Sequence, residues 1–577
     1  MQTRMLRFLI LVSSLSHTLV AERPAGVRDN FLDDSELVKL PGNSSTHLFD
    51  DVVGITTSSS GYLSLVKNPR TRRHGLSDLS VILSHATSYL EVEAASVVRG
   101  IEDTTEADRR TNLLTYSIGL GTGLLVVAAF VGIAIWDLND QVTHLESPGQ
   151  FWTVATVLTC CLNALLFTIT INDSYSLARQ LGHAAGYSGW IISSYQIGVT
   201  LSYIFMRWLD TSTPDLWLSA RRTFIIANLL CLVGEICYLV ATALVDAHQP
   251  SELVGWMLMG GRMLQGLAEG SMTMVNDLII CNLNPGRYGQ LIWARYFFYQ
   301  MCCLGMGPML SSVMMFGGTA VGGSTNFSCV SVFQILVTGA LLVTLLWSAP
   351  GRSALQGSFA NLEKQLPKVH VERDRSAGRC LVVSTLTFRF WQCAVVAGLE
   401  CVTVMVLQTE FSVSRTRAGL LVCFTFFGCI PMRIGFTRSE HQLTQQQWIR
   451  AGIGTALVGS GGLFKIQALQ SSPLLSITLM CLADALVFPS LVIVKSLILN
   501  IELEHTEQDP ESIFSLTNIF FMGNILSSSG RIVGPPLGRQ VLEAFGRSTY
   551  AMEQCTMILV LAVLVEYGVL SRLTAST

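Results

Sequence analysis

Charge is what this sequence has least of. Acidic and basic residues make up 13% of the chain, where a soluble protein carries roughly 25%, and that deficit excludes an ordinary soluble enzyme. A net charge of −3, with no basic stripe interleaved with aromatics, excludes nucleic acid as a partner. No G-x-x-x-x-G-K-[ST] run occurs, so this chain by itself has no site for work driven by ATP. Neither C-x-x-C nor H-E-x-x-H is found, which leaves no metal-ligand spacing and implies no cofactor. The fifteen cysteines lie mostly inside apolar runs, as Cys160 with Cys161 and Cys302 with Cys303 do, and read as small buried hydrophobes. Gly186-Tyr187-Ser188-Gly189 has the G-x-S-G form of an intramembrane serine protease, but no apolar run downstream of Ser188 contains the histidine that must take the serine proton. No enzyme is expected.

Apolar sequence is abundant. Half of the residues are hydrophobic, gathered into runs of about 20, the length that crosses roughly 30 Å of hydrocarbon as an α-helix. In lipid each backbone N–H and C=O must be satisfied within its own segment, and the runs lack the alternation of a barrel strand. The expected fold is all-α: a polytopic membrane protein whose first partner is the bilayer.

Residues 1–21 carry Arg4 and Arg7, an apolar stretch and a small residue at Ala21, the form of a cleavable signal peptide, with a retained anchor as the alternative. Residues 22–111 are polar, include the charge run at 70–74 and form a soft extracytosolic segment. An uncharged run at 112–136 is read as an extra transmembrane helix. Two groups of six spans follow, an amino-terminal half at 150–349 and a carboxyl-terminal half at 380–572, joined by a charged cytosolic loop at 350–379. The spans fall near 151–172, 187–207, 222–245, 253–280, 288–316 and 329–349, then near 380–409, 417–436, 448–469, 473–500, 513–541 and 549–571. Basic residues place the loop at 350–379 and the pair Arg221 and Arg222 in the cytosol. The sequon at Asn326 then falls on the opposite face, as does that at Asn43, where glycosylation occurs. Arg109 and Arg110 sit on the unfavoured side of the extra helix. Each half also carries a Gly-Pro pair in its fifth span, Gly307-Pro308 and Gly534-Pro535, an echo expected of a two-fold transporter repeat.

The fourth span bears the densest polar stripe. At 100° per residue, Arg262, Gly266, Glu269, Gly270, Thr273, Asn276 and Asp277 share an arc of about 120°. Charge at bilayer depth costs several kcal/mol unless it faces protein or a water-filled cavity, so the stripe points inward. Two readings stand: the charges pair with neighbouring helices while the glycines allow close packing, or they line a solute pathway. Arg389 and Glu400 in the seventh span, and Asp484 and Lys495 in the tenth, are each eleven residues apart and so share a face. A buried carboxylate such as Glu269 or Glu400 could couple protons, and a static pair with a base would look the same in sequence. Glu235, Lys465 and Glu566 stand alone and read as structural.

The layout of twelve spans about a charged central loop resembles the major facilitator superfamily. Gly189-Trp190-Ile191-Ile192-Ser193-Ser194-Tyr195-Gln196-Ile197-Gly198, Gly261-Arg262-Met263-Leu264-Gln265-Gly266, Gly305-Met306-Gly307-Pro308 and Arg531-Ile532-Val533-Gly534-Pro535 resemble the branch that holds the lysosomal ceroid-lipofuscinosis carrier and the vacuolar SPX-type phosphate carriers. The resemblance covers about residues 151–571. It departs in three places: Asp210 is separated from Arg221 and Arg222 by a Pro-containing insertion, which alters the cytosolic gate; Ser271, Val275 and Asn276 stand where the phosphate carriers have basic residues; and residues 22–111 are too short for an SPX domain.

The resemblance implies a secondary active transporter of a small solute or ion, an anion or a proton-coupled substrate, working by alternating access. It further implies an endomembrane of the secretory system, vacuolar or lysosome-like. An anion channel drawing on Arg262, Arg295 and Arg531, and a transport-inactive receptor or scaffold using residues 22–111, are the alternatives; the sequence names no protein partner. The topology is directly testable. An epitope between residues 22 and 40 is expected to be protease-protected in sealed microsomes while one at the carboxyl terminus is cleaved; cytosolic exposure of both contradicts the cleaved-signal reading.

Overall fold

Nearly every described residue is helical, and no strand occurs among them. The structure, a computed structural model, describes residues 120 to 576 apart from 136, 139–146, 213–219, 248–250, 284–286, 320–326, 349–374, 433–434, 436–442, 470–471 and 506–511. The signal peptide, the segment 22–111, the start of the extra helix, most of the loop at 350–379 and both sequon asparagines, Asn43 and Asn326, lie outside the described residues.

The extra helix is α1, Leu120–Ile135. The first half contains α2 (Ser147–Thr168), α3 (Ile171–Gln180), α4 (Ala185–Ser212), α5 (Ala220–Asp246), α6 (Glu252–Leu283), α7 (Arg287–Thr319) and α8 (Phe327–Ser348). The second contains α9 (Arg375–Thr409), α10 (Arg415–Phe427), α11 (Gln445–Gly461), α12 (Pro473–Glu504), α13 (Leu516–Phe545) and α14 (Arg547–Val563), which continues through a π-helical stretch, Leu564–Leu570, into α15 (Ser571–Ser576). The first predicted span breaks between α2 and α3, where the hydroxyls of Thr168 and Thr170 donate to the carbonyls of Ala164 and Phe167 at 3.2 and 3.1 Å; such side-chain bonds compete with the helical ladder. The predicted eighth span is interrupted at Gly428, which caps α10, and helix resumes at residues 429–432. Gly546, at φ +81°, joins α13 to α14 through a single residue in a conformation only glycine adopts without strain.

Among the described residues, six helical stretches are long and apolar enough to cross a membrane: Thr153–Gln180, which takes in α2 and α3, Ala220–Asp246, Phe327–Leu346, Gly378–Thr409, Pro473–Glu502 and Arg547–Leu573. Helix α6, with its polar stripe, is not among them. Large apolar side chains such as Val458, Leu474, Phe545 and Tyr567 are exposed, while Arg262, Arg539, Glu235 and Asn172 are fully buried. That inversion of a soluble protein's pattern fits a surface solvated by lipid.

The halves meet chiefly along two helix pairs, α4 with α13 and α7 with α10, with α3 touching α9 and α10 beside them. In each pair the second helix of one half lies on the fifth of the other, as a two-fold repeat requires. The Gly-Pro echo sits in these seams. A Cβ added to Gly189 would come within 2.6 Å of Pro536 Cα, and one added to Gly419 within 2.6 Å of the Pro308 carbonyl oxygen. Within each half close packing also runs through small residues, Gly198 and Gly266 between α4 and α6, and Gly530 and Gly534 of α13 against α9. With no hydrophobic drive between helices in lipid, backbone approach of this kind supplies the van der Waals energy.

A matched pair of substitutions measures that packing. Gly266→Ala sets a methyl group against the Tyr195 carbonyl, whereas Gly260→Ala meets nothing within 4 Å. In detergent-solubilised protein followed by thermal unfolding, Gly266→Ala is expected to cost about 3 kcal/mol and Gly260→Ala to be nearly neutral.

Candidate functional site

A polar cavity of about 110 Å³ lies between the halves. Helix α6 carries Glu269, Thr273 and Asp277 into it at a spacing of four, one face of a helix. Opposite, α13 brings Asn524, Ser527, Ser528 and Arg531, again helical spacing, with Arg389 from α9 and Lys495 from α12. Tyr203 and Gln196 of α4 and Tyr296 and Gln300 of α7 complete the polar wall. A side chamber of about 40 Å³ opens beside Cys393, Lys495 and Arg531.

Five expected pathway residues therefore share one cavity: Glu269, Thr273, Asp277, Lys495 and Arg531. The other five lie elsewhere. Arg262 is fully buried and donates to Gln265 Oε1 at 2.7 Å and to the carbonyls of Phe167 and Leu166 at 2.8 and 3.4 Å, its guanidinium centred 4.6 Å from the Tyr195 ring. It ties the end of α2 to α6. Arg295 forms an ion pair with Asp137, just beyond α1, and Tyr299 donates to the same carboxylate at 2.7 Å, which fastens the extra helix to α7. Asp484 accepts a hydrogen bond from Thr403. Asn276 is buried with neither amide atom bonded, and both carboxylate oxygens of Glu400 are buried and unbonded, although Arg531 and Lys495 are close enough to act on that charge.

The face-sharing pairs within α9 and α12 do not join. Eleven residues of helix span about 16 Å, beyond the reach of an ion pair, and Arg389 instead meets Glu502 at 3.0 Å while Lys495 Nζ donates to Cys393 Sγ at 3.6 Å. Two of the lone charges also find partners: Glu235 accepts from Thr338 at 2.6 Å, and Glu566 pairs with Arg450 at 2.7 Å. Of the gate residues, Arg221 donates to the Leu346 carbonyl at 3.3 Å, Arg222 is exposed, and Asp210 falls in the last turn of α4. Gly270 packs on Ser202, and Gly307 on Thr168 and Ile169, beside Pro308.

Polar ties between the halves flank the cavity. At the carboxyl end of α4, Arg207 donates to Asn518 Oδ1 at 2.6 Å, and deeper in, Asn524 bridges Asp277 at 3.1 Å and Arg389 at 3.3 Å. At the other end Arg539, fully buried, donates to Ser188, to Ser174 at 2.9 Å and to the Cys401 carbonyl at 3.1 Å. There too Arg415 pairs with Asp173 at 2.8 Å, and the Ala185 N–H donates to Glu543 at 3.0 Å. The sequence reading missed Arg539, Asn524 and the cavity tyrosines; the i, i+3, i+4, i+7 polar pattern of Asn524, Ser527, Ser528 and Arg531 would have revealed the α13 face.

The Arg389–Glu502 pair offers a test of the buried electrostatics. Arg389→Met leaves the buried Glu502 without its cation and is expected to cost about 3–5 kcal/mol, while adding Glu502→Met recovers most of that loss. Thermal unfolding of the two proteins in detergent, at matched ionic strength, reads both effects.

Residues 152–535 match the model of the Major Facilitator Superfamily. An MFS-type efflux transporter of Pyricularia grisea is 23% identical over 38% of this chain and 35% of its own length. Myo-inositol transporter 1 of Candida albicans is 26% identical over 40% of each. The chain thus spans at most two-fifths of the length of these curated relatives. A D-xylose-proton symporter of known crystal structure superposes with a TM-score of 0.52 at 14% identity, covering 72% of this chain and 98% of that one, a likeness of fold. Because the family match takes in α4 to α12 and most of α13, and so both walls of the cavity, the chain belongs to the Major Facilitator Superfamily and is a multi-pass integral membrane protein.

Proposed function

We propose that this protein is a secondary transporter that carries a small solute across an endomembrane by alternating access, with twelve spans in two halves preceded by one further helix. The observation that carries this reading is the cavity itself, lined by charged groups of both halves and flanked at either end by polar ties between them. Hydrogen bonds and ion pairs of that kind can be exchanged as one half rocks against the other, opening the cavity to each side in turn. The names of the relatives, an efflux transporter and a myo-inositol transporter, agree with small-solute traffic. A channel would draw on Arg262, Arg295 and Arg531, and the first two are engaged away from the cavity. The signal peptide, the sequons at Asn43 and Asn326, and the branch resemblance of α4 and α6 support residence in the secretory system, in a vacuolar or lysosome-like membrane.

Coupling rests on Glu269, which lines the cavity with Oε2 unbonded. Glu269→Gln keeps the size and hydrogen bonding of the side chain and removes its charge. In reconstituted vesicles the variant is expected to lose stimulation by a pH gradient while substrate exchange at saturating substrate, which needs no net proton movement, persists at the level of folded protein. A static partner behaves differently: the variant would lose abundance and every transport mode together. Abundant variant protein with normal gradient-driven uptake contradicts both roles and transfers the coupling role to Glu400.

A further inference from the structure

The cavity's charges are sorted by half. Among the described residues both acidic groups that line it, Glu269 and Asp277, belong to α6 in the first half, and all three basic groups, Arg389, Lys495 and Arg531, belong to α9, α12 and α13 in the second. One wall is acidic and the other basic. No ion pair closes the gap between the walls: those formed by the described residues include neither Glu269, Asp277, Lys495 nor Arg531.

The groups divide by how far they are already committed. Arg389 is held by Glu502 and Asn524, and Asp277 receives the other side of that Asn524 bridge. Lys495 and Arg531, by contrast, enter no ion pair among the described residues: Lys495 Nζ donates to the Cys393 thiol at 3.6 Å, Arg531 shares that thiol and lies 5.9 Å from the Phe167 ring centre, and the unbonded Glu400 carboxylate acts on both without bonding to either. Across the space, Glu269 Oε2 and Asp277 Oδ1 are buried and bond to nothing. Charges so placed in a low dielectric are costly until something of opposite sign completes them.

We propose that the cavity receives a zwitterionic solute, a small molecule whose carboxylate lies against Lys495 and Arg531 and whose ammonium group lies against Glu269. The assignment rests on the transporter reading and adds its substrate class. A zwitterion completes both walls with charge-assisted hydrogen bonds, and a guanidinium is suited to grip a carboxylate by two of them. An inorganic or carboxylate anion completes only the basic wall and leaves Glu269 facing it. A neutral polyol completes neither wall at full strength. Since the walls belong to different halves, a solute bridging them also draws the halves together, so the binding energy favours the closed arrangement over the open one.

The test uses the full chain, purified and reconstituted, with the proteinogenic amino acids and 4-aminobutyrate as zwitterionic probes. Butyrate, n-butylamine and myo-inositol serve as the anionic, cationic and neutral comparisons. Binding is read by thermal stabilisation and uptake by labelled flux, each at two pH values. At least one zwitterion is expected to bind about tenfold or more tighter than butyrate and n-butylamine, the worth of one charge-assisted hydrogen bond. Glu269→Gln is expected to erase the preference for the amino group and keep that for the carboxylate; Arg531→Gln is expected to do the reverse. Size-exclusion profiles of each variant confirm folding, and Lys495→Gln repeats the carboxylate test should Arg531→Gln fail to fold. Butyrate or inositol carried as well as every zwitterion, at either pH, leaves the transporter reading standing and overturns the zwitterion assignment. Saturable binding or flux of no probe at all overturns both.

Discussion

Buried charge that must be answered inside the protein is the constraint on which the rest of this structure depends. A helix in hydrocarbon satisfies its own backbone, but an arginine or glutamate on it has no water to turn to. Arg262 and Arg539 show one solution. Each is fully buried, and the hydrogen bonds recorded for each run to neutral acceptors, backbone carbonyls with a glutamine or serines, so the oxygens of two or three helices surround one cation. A guanidinium suits this role because it is planar, weakly hydrated and presents five donors in fixed directions. What looks like a scattering of charges in apolar helices is largely a set of cross-links, each placed where helices would otherwise have little reason to hold register.

The glycine seams follow from the same constraint. Side chains this polar can bridge helices only when the backbones lie close, and Gly198, Gly266, Gly530 and Gly534 remove the Cβ atoms that would keep them apart. Both halves use the device, and the Gly-Pro pairs repeat it at the seams between halves. Pro308 has no N–H to give the Leu304 carbonyl, yet α7 continues through it, and its own carbonyl faces Gly419 and accepts from the Ser312 hydroxyl at 2.9 Å. The repeat in the sequence is thus visible as a repeat of contacts.

Much of this was legible beforehand, and the failures are instructive. Runs of apolar residues gave the helix positions because length and hydropathy answer to the bilayer, which acts on each run separately. The α6 stripe was legible because helical periodicity is local, and three of its members do face the cavity. Pairing was not legible. Arg389 with Glu400 and Asp484 with Lys495 shared faces, yet partner choice is made across helices, and the true partner of Arg389 is 113 residues away. Nor could spacing separate Arg262 from Glu269 on the same stripe: one turns to the end of α2 and the other to the cavity, a division set by where neighbouring carbonyls happen to be exposed. The break at Thr168 and Thr170 is what frees such carbonyls, at Leu166 and Phe167, so a local irregularity in α2 decides which residue of α6 is structural.

That division bears on how a cavity can carry charge and still move. Cations that are surrounded by fixed carbonyls within one half, as Arg262 is, travel with that half and cost nothing when the halves shift. Groups that answer across the boundary, such as Asp277 through Asn524 to Arg389, must change partner or remain matched through the motion. Asn524 is suited to that position because an amide both donates and accepts, and can hold an acid on one side and a base on the other without being charged itself. Replacing it with a carboxylate or a lysine would lock the boundary to one side. A neutral, two-faced side chain between opposite charges therefore keeps the two halves attracted without fusing them, and the charged groups beside it that enter no ion pair among the described residues, Glu269, Lys495 and Arg531, are those placed to respond to what enters.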